Sequence, residues 1–288
     1  MSYPEIIESC GPLLAQYQVL LCDVWGVVHD GQRAHEPAGE ALANFRQAGG
    51  TVVLVSNAPT PSGNVARVLD QKGVRRDAWD AIVSSGDLAL DYVREQGWKK
   101  VHHIGPAKRD RAFFEALDGP SVPIHEAEGI TCTGLVDDRT ETPESYRTVL
   151  EQALARNLVF VCANPDLVVH VGADLLPCAG SLATFYEEMG GAVIWAGKPF
   201  PLAYQRALEA AARIRGTPIA ASQVLAIGDS IRTDLAAAAG AGVDALFITA
   251  GIHRSDAMTR GAVSREGLAA LFPGDGPPAV AAAAALAP

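Results

Sequence analysis

Residues 18–27 read QVLLCDVWGV, an apolar run that stops at Asp23 and continues into a turn containing Gly26. Five more runs of this kind occur, at 51–57 (TVVLVSN), 81–85 (AIVSS), 192–197 (AVIWAG), 223–229 (QVLAIGD) and 244–251 (DALFITAG). Near-continuous apolar runs are typical of parallel strands buried on both faces. Segments with helical patterns separate them, at 36–49, 60–73 and 201–214. The alternation predicts an α/β fold whose core is a doubly wound, parallel, Rossmann-like sheet.

The middle of the chain carries strand and helix patterns of its own. Strand-like pieces occur at 99–105, 131–138, 158–164 and 167–172, with helix-like stretches around 107–117 and 144–156. We therefore predict a second α/β domain at 87–179, inserted into a core made of 1–86 and 180–288. Residues 273–288, PGDGPPAVAAAAALAP, are low in complexity and predict a frayed helix or a disordered tail.

Composition excludes several classes of protein. With 49% hydrophobic and 19% charged residues over 288 positions, the chain has the balance of a globular protein of about two domains. Its formal charge of −10 argues against nucleic acid as a partner. The sequence shows no apolar run long enough for a membrane span, no export signal and no paired spacing of its cysteines. We therefore expect a cytoplasmic protein without membrane contact, disulfides or a zinc site.

Polar side chains follow the carboxyl ends of the predicted strands. In chain order they are Asp23, Ser56, Asn57, Lys198, Asp229 and Asp234. Each taken alone has an ordinary alternative, as a helix cap, a turn residue or a solvated charge. Because the carboxyl ends of parallel strands share one edge of a sheet, we expect the set to converge on one crevice. It would supply hard carboxylates for Mg²⁺, a hydroxyl and a lysine for phosphate, and an aspartate nucleophile.

The sequence resembles the haloacid dehalogenase superfamily of phosphotransferases. Its four motifs match in order, as DVWGV at 23–27, VSN at 55–57, GKP at 197–199 and GDSIRTD at 228–234. The insertion at 87–179 is similar to that of the class IIA branch, which includes sugar-phosphate and 4-nitrophenyl-phosphatase-like enzymes. Three shorter matches accompany it, HDG at 29–31, NPD at 164–166 and AGSL at 179–182.

The resemblance implies phosphoryl transfer to Asp23. This carboxylate would take up the phosphoryl group of a small phosphorylated metabolite, such as a sugar phosphate or a similar phosphomonoester. A carboxylate attacks a dianionic phosphate poorly unless the charge is neutralised, and Mg²⁺ would neutralise it. The resemblance implies that Asp23, Asp229 and the backbone carbonyl of Trp25 hold the ion. Asp234 would lie behind them and orient the ion's water or Lys198.

The resemblance also implies which groups surround the substrate. The Ser56 hydroxyl and the N–H of Asn57 would bind phosphate oxygens, and Lys198 would stabilise charge on both Asp23 and the transferring group. In class IIA proteins the inserted domain supplies specificity, and its surfaces often pair, so a homo-oligomer is an expectation. A predicted strand of that domain is followed by three polar residues, Asn164, Asp166 and His170. Each is either a substrate contact or an ordinary turn residue.

One position departs from the pattern. Phosphatases of this superfamily carry a second aspartate two residues after the nucleophile, and this chain has Trp25 there. An indole N–H gives up no proton near neutral pH, so a general acid–base catalyst typically worth ~10²–10⁴ in rate is missing. We expect acidic leaving groups to suffer less than alkyl alcohols.

Three interpretations of Trp25 stay open. In the first, the protein is a phosphatase in which water or a nearby group replaces the aspartate, with His29, Asp30, Asp137 and Asp138 as candidates. In the second, it is a dehalogenase-like hydrolase, because an aromatic residue occupies the same place in that branch. In the third, it binds a phosphorylated ligand or a partner protein without turnover.

Overall fold

The computed structural model describes residues 3–171 and 174–288. In chain order the strands of these residues are β1 (Glu5–Ile6), β2 (Val19–Cys22), β3 (Thr51–Ser56), β4 (Ala81–Ser84), β5 (Val101–Ile104), β6 (Gly129–Cys132), β7 (Phe160–Cys162), β8 (Val168–Val171), β9 (Asp174–Pro177), β10 (Val193–Trp195), β11 (Val224–Gly228), β12 (Asp244–Ile248), β13 (Met258–Thr259), β14 (Ala262–Val263) and β15 (Ala281–Ala283). The α-helices are α1 (Gly11–Leu14), α2 (Glu36–Gln47), α3 (Ser62–Gln71), α4 (Ser85–Glu95), α5 (Arg111–Ala116), α6 (Arg147–Ala155), α7 (Ala179–Glu188), α8 (Pro201–Arg215), α9 (Ala236–Ala241), α10 (Arg254–Ala257) and α11 (Arg265–Leu271). None of the helices in these ranges combines the length and apolarity needed to span a bilayer.

The chain divides into two compact units. Unit 1 comprises Met1–Ser56, Ala66–Val83 and Lys198–Pro288, and unit 2 comprises Asn57–Val65 and Ser84–Gly197. The predicted insertion at 87–179 lies within unit 2, which continues past the predicted boundary to Gly197. Unit 2 extends this far because α7 and β10 pack into its core.

Unit 1 is built on a sheet with strand order β1-β15-β12-β11-β2-β3-β4. Neighbouring strands from β1 through β3 in this order are parallel. From β2 the chain proceeds to β3 and β4 on one side, while β11, β12 and β15 lie on the other. Such a reversal opens a crevice beyond the carboxyl ends of the central strands, and Asp23 and Asp229 directly follow β2 and β11 there. The predicted doubly wound parallel α/β sheet is confirmed.

Unit 2 has a parallel sheet with strand order β10-β7-β6-β5 and an antiparallel ribbon of β8 and β9. Ile130 and Phe160 from the sheet are buried together with Leu150 of α6 and with Leu182 and Tyr186 of α7. The apolar run 192–197 does form a strand, β10, but it joins this sheet rather than that of unit 1. The pattern predicts burial of a strand without specifying the sheet to which it pairs.

The predicted frayed or disordered tail is instead part of the core of unit 1. Residues 281–283 form β15 between β1 and β12, and their side chains are at most 3% exposed. The N–H of Thr249 donates to the carbonyl of Ala283 (2.9 Å), and the N–H of Ile7 donates to that of Ala282 (2.9 Å). An alanine run lacks the β-branched side chains that mark strands, yet backbone hydrogen bonds and complete burial hold it there.

Candidate active site

The side chain of Lys198 is hydrogen-bonded to residues at or beyond the carboxyl ends of β2, β3 and β11 in unit 1. Its side chain is 2% exposed, and its ammonium donates hydrogen bonds to Oδ1 of Asp23 (2.5 Å), Oδ1 of Asp234 (2.7 Å) and the carbonyl of Val55 (2.8 Å). Burial alone would lower the pKa of Lys198 because it disfavours the charged form. The carboxylates of Asp23 and Asp234 outweigh burial and raise that pKa well above its ordinary value, so the lysine is a permanent cation.

Three buried carboxylates surround this ammonium. Oxygen atoms of Asp23, Asp229 and Asp234 lie within 4.8 Å of one another. Burial, followed by the charge of Asp234, raises the pKa of Asp23 well above its ordinary range and that of Asp229 to about 7. Three carboxylates against one ammonium leave an excess of negative charge, and hard oxygen donors at this spacing fit a divalent cation such as Mg²⁺.

Backbone groups and glycines hold Asp229 in place. The N–H of Ile252, in the loop after β12, donates to Oδ2 of Asp229 at 2.7 Å. A Cβ at Gly26 or at Gly251 would overlap the carboxylate of Asp229. The backbone can therefore approach this carboxylate closely at both positions only because each is a glycine. Gly251 and Ile252 are not among the residues predicted from the sequence, although a glycine at the end of the run 244–251 indicates a close approach of the backbone.

Asp234 is positioned to hold Lys198. It belongs to a π-helical turn, Ile231–Leu235, that precedes α9. Its Oδ1 accepts from Lys198, and its Oδ2 accepts from the N–H of Ser230 at 3.1 Å. With both oxygens engaged in this way, the geometry suits orientation of the lysine better than coordination of a metal ion. Asp23 and Asp229 nevertheless each offer a carboxylate oxygen within 4.8 Å of the other.

The two residues of the second motif fall in different units. Ser56 ends β3 in unit 1 and is 8% exposed. Asn57 opens the first segment of unit 2, where its Nδ2 donates to Oδ1 of Asp166 at 3.1 Å and its Oδ1 accepts from the hydroxyl of Ser85 at 3.4 Å. The Asn57 side chain is therefore engaged within unit 2, and the role expected of this residue involves its backbone N–H.

The candidate substrate contacts of unit 2 form a turn. The N–H of Asp166 donates to Oδ1 of Asn164 at 3.2 Å, which is the local hydrogen bond typical of an Asx turn. His170 belongs to β8, and its side chain lies outside the described part of the structure. Asp137 and Asp138, two of the candidate acids, also belong to unit 2.

Trp25 is seated on the turn that follows Asp23. The N–H of Gly26 donates to the carbonyl of His29 at 2.8 Å, and Trp25 and His29 form an isolated β-bridge. The indole lies edge-on to the His29 imidazole, with ring centroids 5.2 Å apart, and covers Gly31, where a Cβ would overlap it. The side chain is nonetheless 49% exposed, so a large apolar face two residues after Asp23 meets solvent.

The other polar groups of this turn are poor substitutes for an acid. His29 is 4% exposed, and its Nδ1 accepts the N–H of Gly31 at 2.9 Å. Burial, with the charge of Lys72 as a second cause, lowers the pKa of His29 to about 4, so its imidazole is neutral. The exposed Asp30 accepts hydrogen bonds from the N–H of Arg33 and then that of Gln32, which lower its pKa and keep it ionised.

The chain is similar to proteins of one family along nearly its whole length. Residues 20–118 match the family described as haloacid dehalogenase-like hydrolase, and residues 195–269 match the one described as HAD-hydrolase-like. A solved hydrolase of the haloacid dehalogenase-like family from Brucella suis is 40% identical. The similarity covers 98% of this chain and 100% of that one, with a TM-score of 0.83.

Two curated relatives are more distant. The ribonucleotide monophosphatase NagD of Escherichia coli is 25% identical over 246 residues, covering 82% of this chain and 89% of that protein. The 5'-nucleotidase YutF of Bacillus subtilis is 25% identical over 251 residues, covering 84% of this chain and 91% of that protein. Both similarities span the two units described above.

Proposed function

The chain belongs to the haloacid dehalogenase-like hydrolase family, and on that premise we propose that it is a phosphatase acting on small phosphomonoesters through Asp23. The observation that carries the proposal is the buried Lys198 between Asp23 and Asp234, with Asp229 in the same cluster. The curated relatives, a ribonucleotide monophosphatase and a 5'-nucleotidase, support the same class of reaction.

We propose Mg²⁺ as the cation of the site. Asp23, Asp229 and the carbonyl of Trp25 would hold it. In support, the carboxylates of Asp23 and Asp229 lie in one cluster, and a Cβ at Gly26, the residue after Trp25, would overlap the Asp229 carboxylate. When bound, the ion supplies positive charge that lets a carboxylate approach a dianionic phosphate.

The residues of the chain then have separate tasks. One oxygen of Asp23 attacks phosphorus, and the bond between phosphorus and the leaving oxygen breaks with its electron pair on that oxygen. Lys198 offsets charge on Asp23 and on the transferring group, and Asp234 orients the ammonium. The hydroxyl of Ser56 and the N–H of Asn57 would bind the equatorial oxygens. Water then attacks the phosphorylated Asp23 and releases inorganic phosphate.

We also propose that unit 2 is the cap of a class IIA enzyme and selects the substrate. The candidates for this role are Asn164 and Asp166, which share one turn, and His170. Within that turn, Oδ1 of Asp166 accepts a hydrogen bond from Nδ2 of Asn57. The acidic balance of the chain supports a small phosphorylated metabolite rather than nucleic acid as the partner. A cytoplasmic location and a homo-oligomeric state remain proposals of the same kind.

Phosphate release from a panel of phosphometabolites, with and without Mg²⁺, tests the proposal. Asp23→Asn keeps the shape of the side chain and should abolish release, whereas Asp70→Asn, which changes an exposed aspartate of α3, should not. Chloride release from a 2-haloacid would instead favour a dehalogenase. Binding of a phosphorylated ligand without release from any donor would favour a protein that binds without turnover.

A further inference from the structure

Resting on the phosphatase function proposed above, we infer that Trp25 restricts the site to phosphoryl donors whose leaving group departs without a proton. Acyl phosphates, phosphoanhydrides and aryl phosphates belong to this class, and phosphate esters of alkyl alcohols do not. The same residue makes hydrolysis of the phosphorylated Asp23 the slow step of turnover.

The first support is the fixed placement of the indole. Trp25 is held by its β-bridge to His29 and by packing on Gly31, where the absence of a Cβ makes room for the ring. Its indole contacts the buried His29 imidazole at 5.2 Å between centroids. The position two residues after the proposed nucleophile is thus filled by a large side chain that packs on its own turn. The indole N–H can donate a hydrogen bond but gives up no proton near neutral pH.

The second support is that the turn itself provides no replacement. Among the described residues of this turn, His29 and Asp30 are the titratable side chains. His29 is buried beneath Trp25, and its Nδ1 is occupied by the N–H of Gly31. The N–H groups of Gln32 and Arg33 both donate to Oδ1 of Asp30. These hydrogen bonds hold the exposed Asp30 carboxylate against the residues that follow it in the chain.

The third support is the engagement of Lys198. Its ammonium has three N–H groups, and three acceptors face it, Oδ1 of Asp23, Oδ1 of Asp234 and the carbonyl of Val55. Passing a proton to a leaving group would leave the carboxylate of Asp234 and the phosphorylated Asp23 beside a neutral amine in a buried site. Lys198 therefore contributes charge to the reaction rather than a proton.

These facts affect the two half-reactions differently. In the first, the leaving oxygen takes the electron pair of the broken bond to phosphorus, and without an acid it must depart as an anion. Its rate therefore depends on how stable that anion is. In the second, water attacks the phosphorus of the phosphorylated Asp23, the bond to the carboxylate oxygen breaks, and the proton of water passes to a phosphate oxygen or to solvent. The turn after Asp23 offers no base for this step, and the step is identical for every donor.

A series of donors with falling leaving-group acidity tests the inference on the wild-type chain with Mg²⁺. We expect kcat/KM for glycerol phosphate to be at least about 100-fold lower than for acetyl phosphate and 4-nitrophenyl phosphate. This factor is the lower end of the rate enhancement that a general acid typically provides. The two acidic donors should share one kcat, and 4-nitrophenyl phosphate should give a burst of nitrophenol equal to the enzyme concentration. Comparable kcat/KM for glycerol phosphate and 4-nitrophenyl phosphate would overturn the inference, because another group would then supply the proton.

A matched pair of variants extends the test. Trp25→Asp should raise kcat/KM for glycerol phosphate by about 10-fold or more and remove the burst, because a carboxyl group can serve both half-reactions. Trp25→Asn, similar in size but without an ionisable proton, should do neither. An equal gain in both variants would show that the indole acts only by its bulk and would overturn the inference. Phosphate release from no donor at all would contradict the phosphatase function itself, whereas equal rates across the series contradict only the role of Trp25.

Discussion

Nζ of Lys198 lies 2.5 Å from Oδ1 of Asp23, although 175 residues separate the two in the chain. Lys198 is the first residue of the last segment of unit 1, so the pair is made entirely within that unit. The proposed nucleophile is thus paired with a positive charge within unit 1 alone, without a substrate.

Replacement of Lys198 by methionine removes this charge while keeping much of the side-chain volume. We expect kcat to fall about 10²–10³-fold, the effect of deleting one electrostatic contact to a transition state. Because Asp23 and Asp234 lose their buried partner, the free energy of unfolding should also fall by about 3–5 kcal/mol. Steady-state kinetics and urea unfolding measure the two effects. Lys100→Met, which removes an exposed lysine 3.8 Å from Glu126, should change neither.

The glycine beside Asp229 gives a prediction about metal binding. A methyl group at position 251 would overlap the Asp229 carboxylate, so Gly251→Ala should displace it and weaken both Mg²⁺-dependent stabilisation and phosphatase activity. Gly240→Ala is the matched control, because a Cβ there meets open space within α9. The control should be neutral or stabilise by up to about 1 kcal/mol. Equal Mg²⁺ titrations of the two variants, followed by thermal unfolding, would contradict this account of the site.

Much of the site could be predicted because parallel strands align their carboxyl ends. Asp23, Ser56 and Asp229 each follow an apolar run, and the structure places all three at the end of a strand of one sheet. Gly251 and Ile252 could not be assigned a role in the same way. Ile252 contributes through its backbone N–H, which every residue except proline possesses, so its side chain carries no signature of the contact.

The errors in the fold have physical causes as well. The run at 192–197 reads as a strand buried on both faces in either sheet, and only tertiary packing assigns β10 to unit 2. The alanines of β15 have small side chains with weak strand preference, and the segment is a strand because its backbone pairs with β1 and β12. Local pattern therefore predicted the elements better than their partners.

The raised pKa of Asp229 predicts how stability depends on pH and on metal. Without a cation, this carboxyl binds a proton more tightly in the folded state, with a pKa of about 7 against an ordinary value of 3.8. Its contribution to stability is therefore complete below about pH 3.8, falls as the pH rises above that value, and is lost once the pH passes about 7. Mg²⁺ competes with that proton, so it should raise the melting temperature more at about pH 8 than at about pH 5.5. The same Mg²⁺-induced shift at both pH values would contradict the prediction, and Asp229→Asn should remove the difference.

The buried tail predicts a large effect of a mutation in a segment of low complexity. Leu286 is 1% exposed, whereas Val280, just before β15, is 41% exposed. Leu286→Ala should therefore lower the free energy of unfolding by about 2–5 kcal/mol, because it removes buried methyl groups and leaves a cavity. Val280→Ala, a smaller truncation on the surface, should change it by about 0.5 kcal/mol or less. Chemical denaturation of both variants makes the comparison. A tail that lay outside the core would give the same small change at both positions, and that result would contradict the placement of β15 and the residues after it.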